Sequence, residues 1–575
     1  MGSVNLVPQS RRLFAALLGL LLASMGFQAY AIEPGRLWFY APVNFLVEKE
    51  VDRLETLIQR AAKAGYNGAV ITDHKFGNFE DRPKRFFEGM QRIRRAAAQA
   101  DVELIPCVMP VGYSNPILQN DPNLAAGLPV KNCRFLVRNG EATAISENLI
   151  PSGDFEQAGK NAPEGWDWID GWNVSSSLDS SDPKRGKSCL KLTNFREGQD
   201  AGNARLMKKV TVRPYHAYQF SFWSKASGLD ADLVQFMPMG DGKRISYSEF
   251  VTPSDQPWTK HTILFNSFEH TELTLYLGVW SGNKGTLWLD DARLEVAAGV
   301  NLLRRDGCPI AVRSAASGKL YQEGKDFQRW EDPKLGRVPY IGEYDDDHEA
   351  PPLVLTKNSR IKENEPLWVS FHHAVLIHRG QVGCSLVAEK LYDLYQSQLN
   401  VIDQKWSPKT LFLQHDEIRV AGHDQFAKGR TSGELLRDNI RRCIDLVDKS
   451  SARKGTAPKN IVVWSDMFDP NHNAVDQYYL TAKTMKGSWE GLNPSVTVMN
   501  WNNNKSKEAL EWFTGRSHSQ IISAYYDGDV KSNFDRWSQA ISDKDDIRGW
   551  MYTTWEKNYD DLETFATLVK QHEGR

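Results

Sequence analysis

Leu411-Phe412-Leu413-Gln414-His415-Asp416-Glu417-Ile418-Arg419 is the stretch on which the reading of this chain turns. Pro408 precedes it, and three leading apolar residues are too few for a helix face, so they predict a short buried strand tipped by two carboxylates. Neighbouring side chains on a strand point opposite ways, so Asp416 and Glu417 share one site only where the strand gives way to a loop. Acids at strand tips are where parallel α/β barrels keep their chemistry. A plainly solvated acidic strand end is the alternative that these nine residues leave open.

Working outward, the surrounding chain alternates strand and helix. Upstream, Leu37-Trp38-Phe39-Tyr40 predicts a strand, Val51, Leu54, Leu57, Ile58, Ala61 and Ala62 recur at helical spacing, and Gly65 ends that helix. Ala69-Val70-Ile71 predicts a second strand closing on Thr72-Asp73-His74; a helix from Pro83 to Ala100 then leads to a third, Val102 to Pro106. Downstream of Asp416-Glu417, strands are predicted at Ile461–Trp464, Val496–Trp501, Ile521–Tyr525 and Gly549–Tyr552, with helical patterns between or after them. Leu367-Trp368-Val369-Ser370-Phe371 would make one strand too many and is left out. Eight strands of this kind predict an α/β fold, a (β/α)8 TIM barrel.

Between strands three and four the texture changes. From Asn148 the chain breaks into short alternating segments such as Ala217–Trp223 and Leu273–Leu277, closing on Gly285 to Asp291, which predicts an all-β sandwich of jelly-roll type. The organisation read from this is a signal peptide over 1–31, a first barrel part over 32–147, a sandwich over 148–298, a second small β-rich segment over 299–375 and a second barrel part over 376–575. An insertion after strand three lies on the catalytic face and can wall the site. The acidic run Tyr344-Asp345-Asp346-Asp347-His348-Glu349 reads as a solvated loop of the insertion, with a structural calcium site as the alternative.

Composition narrows the partners. The 70 Lys and Arg nearly balance the 72 Asp and Glu, which argues against nucleic acid or an anionic membrane. The 18 Trp and 19 Tyr supply flat amphipathic rings of the kind that stack on sugars, though core packing uses them equally well. Arg11-Arg12-Leu13-Phe14, an apolar run to Met25 and Ala29-Tyr30-Ala31 read as an export signal, resembling the twin-arginine kind, with an ordinary secretory signal as alternative; the expected location is the periplasm or the outside of a bacterium. The apolar run is too short for a permanent span, so no stable membrane insertion is expected after cleavage. Six scattered cysteines without a CxxC pair indicate neither zinc nor a disulfide framework, and leave room for one or two bridges. Asp73-His74, His372-His373, His423-Asp424 and Asn471-His472-Asn473 lack tight ligand spacing, so no metal and no cofactor is expected. Nothing in the sequence sets an oligomeric state.

The strand tips carry a set of residues that resembles family 20 β-N-acetylhexosaminidases: Asp416-Glu417 at strand four, Trp464 at five, Trp501 at six, Tyr525-Tyr526-Asp527 at seven and Trp555-Glu556 after eight, with Thr72-Asp73 and Ile105-Pro106 as further echoes. The likeness covers only the barrel. It departs from the family at Gln414-His415, where two glycines are usual, in the arginine missing from Tyr40-Ala41-Pro42-Val43-Asn44, and in the absent spacer between Trp555 and Glu556. The opening Asn148-Leu149-Ile150-Pro151-Ser152-Gly153-Asp154-Phe155-Glu156 and the paired Asp290-Asp291 resemble carbohydrate-binding modules.

These resemblances imply a glycan-cleaving enzyme for oligo- or polysaccharides with 2-acetamido sugars. Glu417 would be the general acid, Asp416 would orient the substrate's own acetamido nucleophile, and Tyr525 would donate a hydrogen bond to its oxygen. Trp464, Trp501 and Trp555 would box the sugar, Asp527 and Glu556 would accept bonds from its hydroxyls, and Asp73 would be a further substrate-binding residue. The alternatives are a retaining glycosidase whose direct nucleophile is a second carboxylate such as Asp527 or Glu556, and a glycan-binding protein without activity. On the family-like reading, Glu417→Gln lowers turnover of an aryl N-acetylhexosaminide roughly 10²–10⁴-fold with binding kept; unchanged turnover would refute that role.

Overall fold

A computed structural model describes residues 32–197, 200–541 and 546–574. The signal-peptide reading of 1–31 lies outside the described residues. The barrel is formed by eight parallel strands: β1 (Arg36–Pro42), β2 (Gly68–Thr72), β3 (Glu103–Val108), β4 (Thr410–Leu413), β5 (Asn460–Trp464), β6 (Val496–Asn500), β7 (Gln520–Tyr525) and β8 (Ile547–Thr553). β8 pairs back onto β1 through Arg36 opposite Gly549, which closes the ring. Around it lie α1 (Glu48–Ala64), α2 (Lys84–Gln99), α3 (Glu389–Lys405), α4 (Ser432–Lys454), α5 (Ser506–Thr514), α6 (Val530–Ile541) and α7 (Leu562–His572). Gly65 ends α1 in a left-handed conformation with φ of 100°, where a side chain would be strained. Thr431 and Glu434 start α4 with a reciprocal capping box.

Alternation along each strand gives the barrel two apolar layers. The interior is filled by Trp38, Val70, Ile105, Phe412, Val462 and Met551, among others, all buried. The outward set, including Leu37, Phe39, Leu411, Leu413, Ile522 and Tyr552, meets the helices. Trp38 fits across the interior because β2 begins with a glycine: a Cβ on Gly68 would stand 2.3 Å from the indole Cδ1.

Between β3 and α3 the chain leaves the barrel to build two all-β bodies. The first is a sandwich dominated by two long bulged strands, Ala217–Gly240 and Glu272–Val296, with its own core of Phe220, Phe222, Phe236, Leu275 and Leu289. The second is a six-stranded sheet in which Pro366–His373 runs between Ala311–Ser314 and Leu128–Arg138. Leu367 to Phe371 thus belongs to this sheet and not to the barrel. The same pairing corrects the first boundary, since Leu128–Arg138 and Glu141–Ala144, read as part of the barrel over 32–147, are strands of the insertion. The two pair with each other, and their outer partners, Pro366–His373 and Leu353–Val354, lie more than two hundred residues away, which local pattern does not reveal.

Two further expectations change. The acidic run is not a solvated loop: Asp346 accepts from Leu264 N at 3.0 Å, and His348 Nε2 lies 2.9 Å from Asp332 Oδ2, with both side chains of that pair buried. Burial pushes the Asp346 carboxyl up to about 7. All six cysteines are buried and free, so no bridge forms. Among the described residues no helix is long and apolar enough to cross a membrane, and no cluster of His, Cys, Asp and Glu is arranged to hold a metal.

If the Trp38 contact keys the barrel interior as described, Gly68→Ala costs about 1–3 kcal/mol through overpacking, read as a lower denaturant midpoint with an unchanged slope. A midpoint equal to the wild type would contradict the packing.

Candidate active site

At the C-terminal mouth of the barrel lies a cavity of about 890 Å³. Asp73, Asp416, Glu417, Trp464, Trp501 and Trp555 all line it. Closure of the ring is what collects them, because every strand of a parallel barrel ends at the same rim. The aromatic wall is continuous: Trp464 lies 6.3 Å from Trp501 and 6.0 Å from Trp555 between ring centroids, and Tyr40 meets Trp555 edge-on at 5.6 Å. Trp555 is 51% exposed, an aromatic face open to a ligand.

Past Leu413 the strand breaks, and this lets two adjacent acids reach one cavity. Glu417 adopts φ of 47°, a left-handed conformation that costs a non-glycine residue about 1–3 kcal/mol. Its N–H is held by Asp466 Oδ2 at 2.8 Å, and the loop after β3 lies tightly alongside. A Cβ on Gly112 would stand 1.9 Å from the Asp416 carbonyl oxygen, so only glycine permits that approach. His415 turns the other way and pairs with Asn439 of α4 through Nε2 at 3.0 Å, away from the cavity.

The two acids have different surroundings. Glu417 receives a donor on each oxygen: Arg419 Nη2 at 2.8 Å from Oε1, and the Tyr113 hydroxyl at 2.7 Å from Oε2. Arg419 is itself held by Tyr113 Oη at 3.2 Å and by Gln381 Oε1. Asp416 has no such cation. Burial, reinforced by the charges of Asp466 and Glu417, pushes its carboxyl well above the usual carboxylate range. Asp466 is buried as well and is raised to about 7, chiefly by desolvation, although Asn473 Nδ2 and Trp501 Nε1 donate to it at 2.9 and 3.2 Å.

Tyr525 is not in the cavity, which corrects the role read for it. Its ring stacks on Tyr552 at 4.5 Å, in the apolar layer between barrel and helices. The neighbouring Tyr526 stacks on the cavity-lining Trp555 at 6.2 Å, and its hydroxyl donates to the Ser523 carbonyl. Asp527 is also spent on structure, accepting from Thr554 Oγ1, from Trp555 N at 2.6 Å and from Glu556 N at 3.2 Å, so it shapes the loop that presents Trp555. Glu556 is exposed on that loop and does not line the cavity. Asp73 lines the cavity, but its carboxylate is committed to Phe45 N at 2.8 Å and Lys75 N at 2.9 Å. Tyr40, Tyr113, Gln381, Arg419 and Asp466 went unread in the sequence. Arg419, two residues beyond Glu417, is the one with a local signal.

No family model matches the chain, and no curated protein matches it. Among solved structures it is similar to a glycoside hydrolase family 20 β-N-acetylglucosaminidase, at 10% identity over 94% of this chain and 70% of that one, with a TM-score of 0.35. It is also similar to a rhamnosidase from Novosphingobium sp. PP1Y, at 11% identity over 94% of this chain and 59% of that one, with a TM-score of 0.33. A family 16 carbohydrate-binding module is 19% identical over 26% of this chain and 99% of its own, with a TM-score of 0.20. Likeness at this level leaves the function to the geometry of the site.

The raised Asp466 carboxyl makes stability depend on pH. The folded protein keeps a proton that the unfolded chain releases near 3.8, so between there and about 7 stability falls as pH rises. Asp466→Asn removes that proton uptake, and its unfolding free energy should fall less steeply, by about 1.4 kcal/mol per pH unit, across the middle of this window. Urea midpoints measured from pH 4.5 to 6.5 check it; parallel pH profiles would remove the assignment.

Proposed function

We propose that this protein is a glycoside hydrolase acting on glycans that contain 2-acetamido sugars, with retention of configuration and participation of the substrate's acetamido group. The observation that carries the reading is the adjacent pair Asp416 and Glu417, one buried without an ion pair and the other bonded to Arg419 and Tyr113, facing one cavity walled by Trp464, Trp501 and Trp555.

The surroundings support an exchange of the roles expected from the resemblance. Glu417 faces a donor on both oxygens, so an acidic proton there would have no good place; it is arranged to accept. Asp416 is the carboxyl whose protonated form burial and the neighbouring carboxylates favour. On this reading Asp416 protonates the leaving oxygen as the bond from C1 breaks. The amide oxygen closes on C1, and Glu417 accepts the amide N–H with its remaining lone pairs. Water then opens the cyclised intermediate and returns a proton to Asp416. With Tyr525 elsewhere, Tyr40 is the hydroxyl available to donate to the amide oxygen. A second reading has specific support in the tethering of Glu417 by Arg419 and Tyr113: a carboxylate so fixed can attack C1 directly.

The same reading has the protein exported to the periplasm or beyond, on the strength of Arg11-Arg12-Leu13-Phe14 and Ala29-Tyr30-Ala31. Six buried, unpaired thiols suit a chain that folds in a reducing compartment before transport.

Leaving-group dependence tests the roles. A good leaving group needs little protonation, so Asp416→Asn should cut turnover of an unactivated glycoside roughly 10²–10⁴-fold yet largely spare a dinitrophenyl glycoside. Glu417→Gln should impair both. Sparing by Glu417→Gln instead would return the proton to that residue. A thiazoline mimic of the cyclised intermediate should inhibit, whereas trapping of a glycosyl ester on Glu417 would select the direct nucleophile. Because Asp416 acts in its protonated form, kcat/KM should decline on an alkaline limb above the ordinary carboxylate range; a rate that rises there would oppose the assignment.

A further inference from the structure

Glu417 depends on Arg419, and Arg419 depends on groups from outside the barrel. Its guanidinium carbon lies 5.0 Å from the ring centroid of Tyr479, and Tyr479 packs on Tyr247 with ring centroids 4.3 Å apart. Tyr247 belongs to the sandwich. The guanidinium of Arg244, from the same segment, stands 4.8 Å from its ring. The order Arg244, Tyr247, Tyr479, Arg419, Glu417 is an unbroken run of cation–π, aromatic and ionic contacts from the inserted domain to the candidate catalytic carboxylate.

A second strut runs beside it. The Ser248 hydroxyl donates to the Leu376 carbonyl at 2.7 Å, the His378 N–H donates to the Tyr247 carbonyl at 3.0 Å, and His378 Nδ1 lies 2.8 Å from Glu249 Oε1. These bonds hold the turn from Ile377 to Gln381, closed by Gln381 N donating to the Ile377 carbonyl at 2.7 Å. At its end, Gln381 accepts from Arg419 Nη1 and donates through Nε2 to the Glu417 carbonyl at 2.9 Å. Arg419 is thus fixed by stacking on one strut and by a hydrogen bond on the other.

We infer that Tyr247 and Gln381 are positioning residues for Glu417, and that the sandwich segment from Ser246 to Glu249 is a brace for the active site. Arg419 is almost wholly buried, with its side chain 4% exposed, so it has no water to substitute for lost partners. Without the stack its guanidinium keeps only its hydrogen bonds and ion pair and is held less tightly on Glu417, and small misplacements of reacting groups are costly in rate. The sandwich therefore contributes to turnover through geometry, whatever its outer surface binds. In kinetic terms this rests on the glycosidase reading above; in structural terms it stands alone.

The kinetic arm compares Tyr247→Ala, Tyr247→Phe and Phe236→Ala, the last a cut in the sandwich core away from the brace. Tyr247→Ala should lower kcat roughly 10-fold with KM within about twofold. Tyr247→Phe should restore it, and Phe236→Ala should leave kcat unchanged despite a lower Tm. Unchanged kcat in Tyr247→Ala, or an equal loss in Phe236→Ala, would overturn the brace. A second arm needs no activity: in a double-mutant cycle of Tyr247→Ala with Arg419→Met, the Tm loss of the double variant should be smaller than the sum of the single losses. Additive losses would show the two residues independent and sink the inference. Should the wild type turn over no glycoside, the functional reading fails while this cycle still decides the coupling.

Discussion

Eight parallel strands closed into a ring leave one rim where every strand ends, and all the chemistry of this chain depends on that constraint. Asp73, Asp416, Trp464, Trp501 and Trp555 come from strands or loops spread over almost five hundred residues, and closure through Arg36 and Gly549 brings them to one cavity. A parallel barrel can accept a long excursion at that rim without breaking a strand pairing. This one accepts two β-bodies between β3 and α3, and it uses them as walls and struts.

Within the cavity, desolvation is the dominant electrostatic force. Asp416 and Glu417, just past β4, meet Asp466, just past β5, and three neighbouring carboxylates with two of them buried disfavour full ionisation. The protein resolves this asymmetrically. Arg419 and Tyr113 bond Glu417 directly, whereas burial raises the carboxyls of Asp416 and Asp466. Two carboxyl groups of identical chemistry, adjacent in sequence, are thereby given different capacities by what surrounds them.

The insertion takes part in this asymmetry. Gln381 stands where the chain returns from the insertion to the barrel, and it contacts both members of the Arg419–Glu417 pair. A domain attached only for binding would need no such contact. Residues such as Asp527 and Asp73 illustrate the complementary case, in which a carboxylate in a promising place is consumed in holding backbone N–H groups of the loops that shape the site.

Much of the barrel was legible in the chain because its signals are local. A buried apolar run with turn residues beside it marks a strand, and a 3.6-residue recurrence marks a helix; eight such units imply closure. The cavity positions of Trp464, Trp501 and Trp555 followed from their places at strand ends. Non-local events were illegible: the pairing of Leu128–Arg138 with Pro366–His373, the burial of Asp346, and the approach of Tyr247 to Tyr479. The side taken by Tyr525 was undecidable too, because Tyr525, Tyr526 and Asp527 all have positive φ and local alternation loses its meaning there. Sequence by itself determined the ring of strands, the inserted sandwich and the acid pair at a strand tip, since these follow from periodicity and composition. Only the tertiary structure decided which acid is paired with Arg419 and that Tyr525 packs against the helices, because desolvation and charge pairing are set by neighbours distant along the chain.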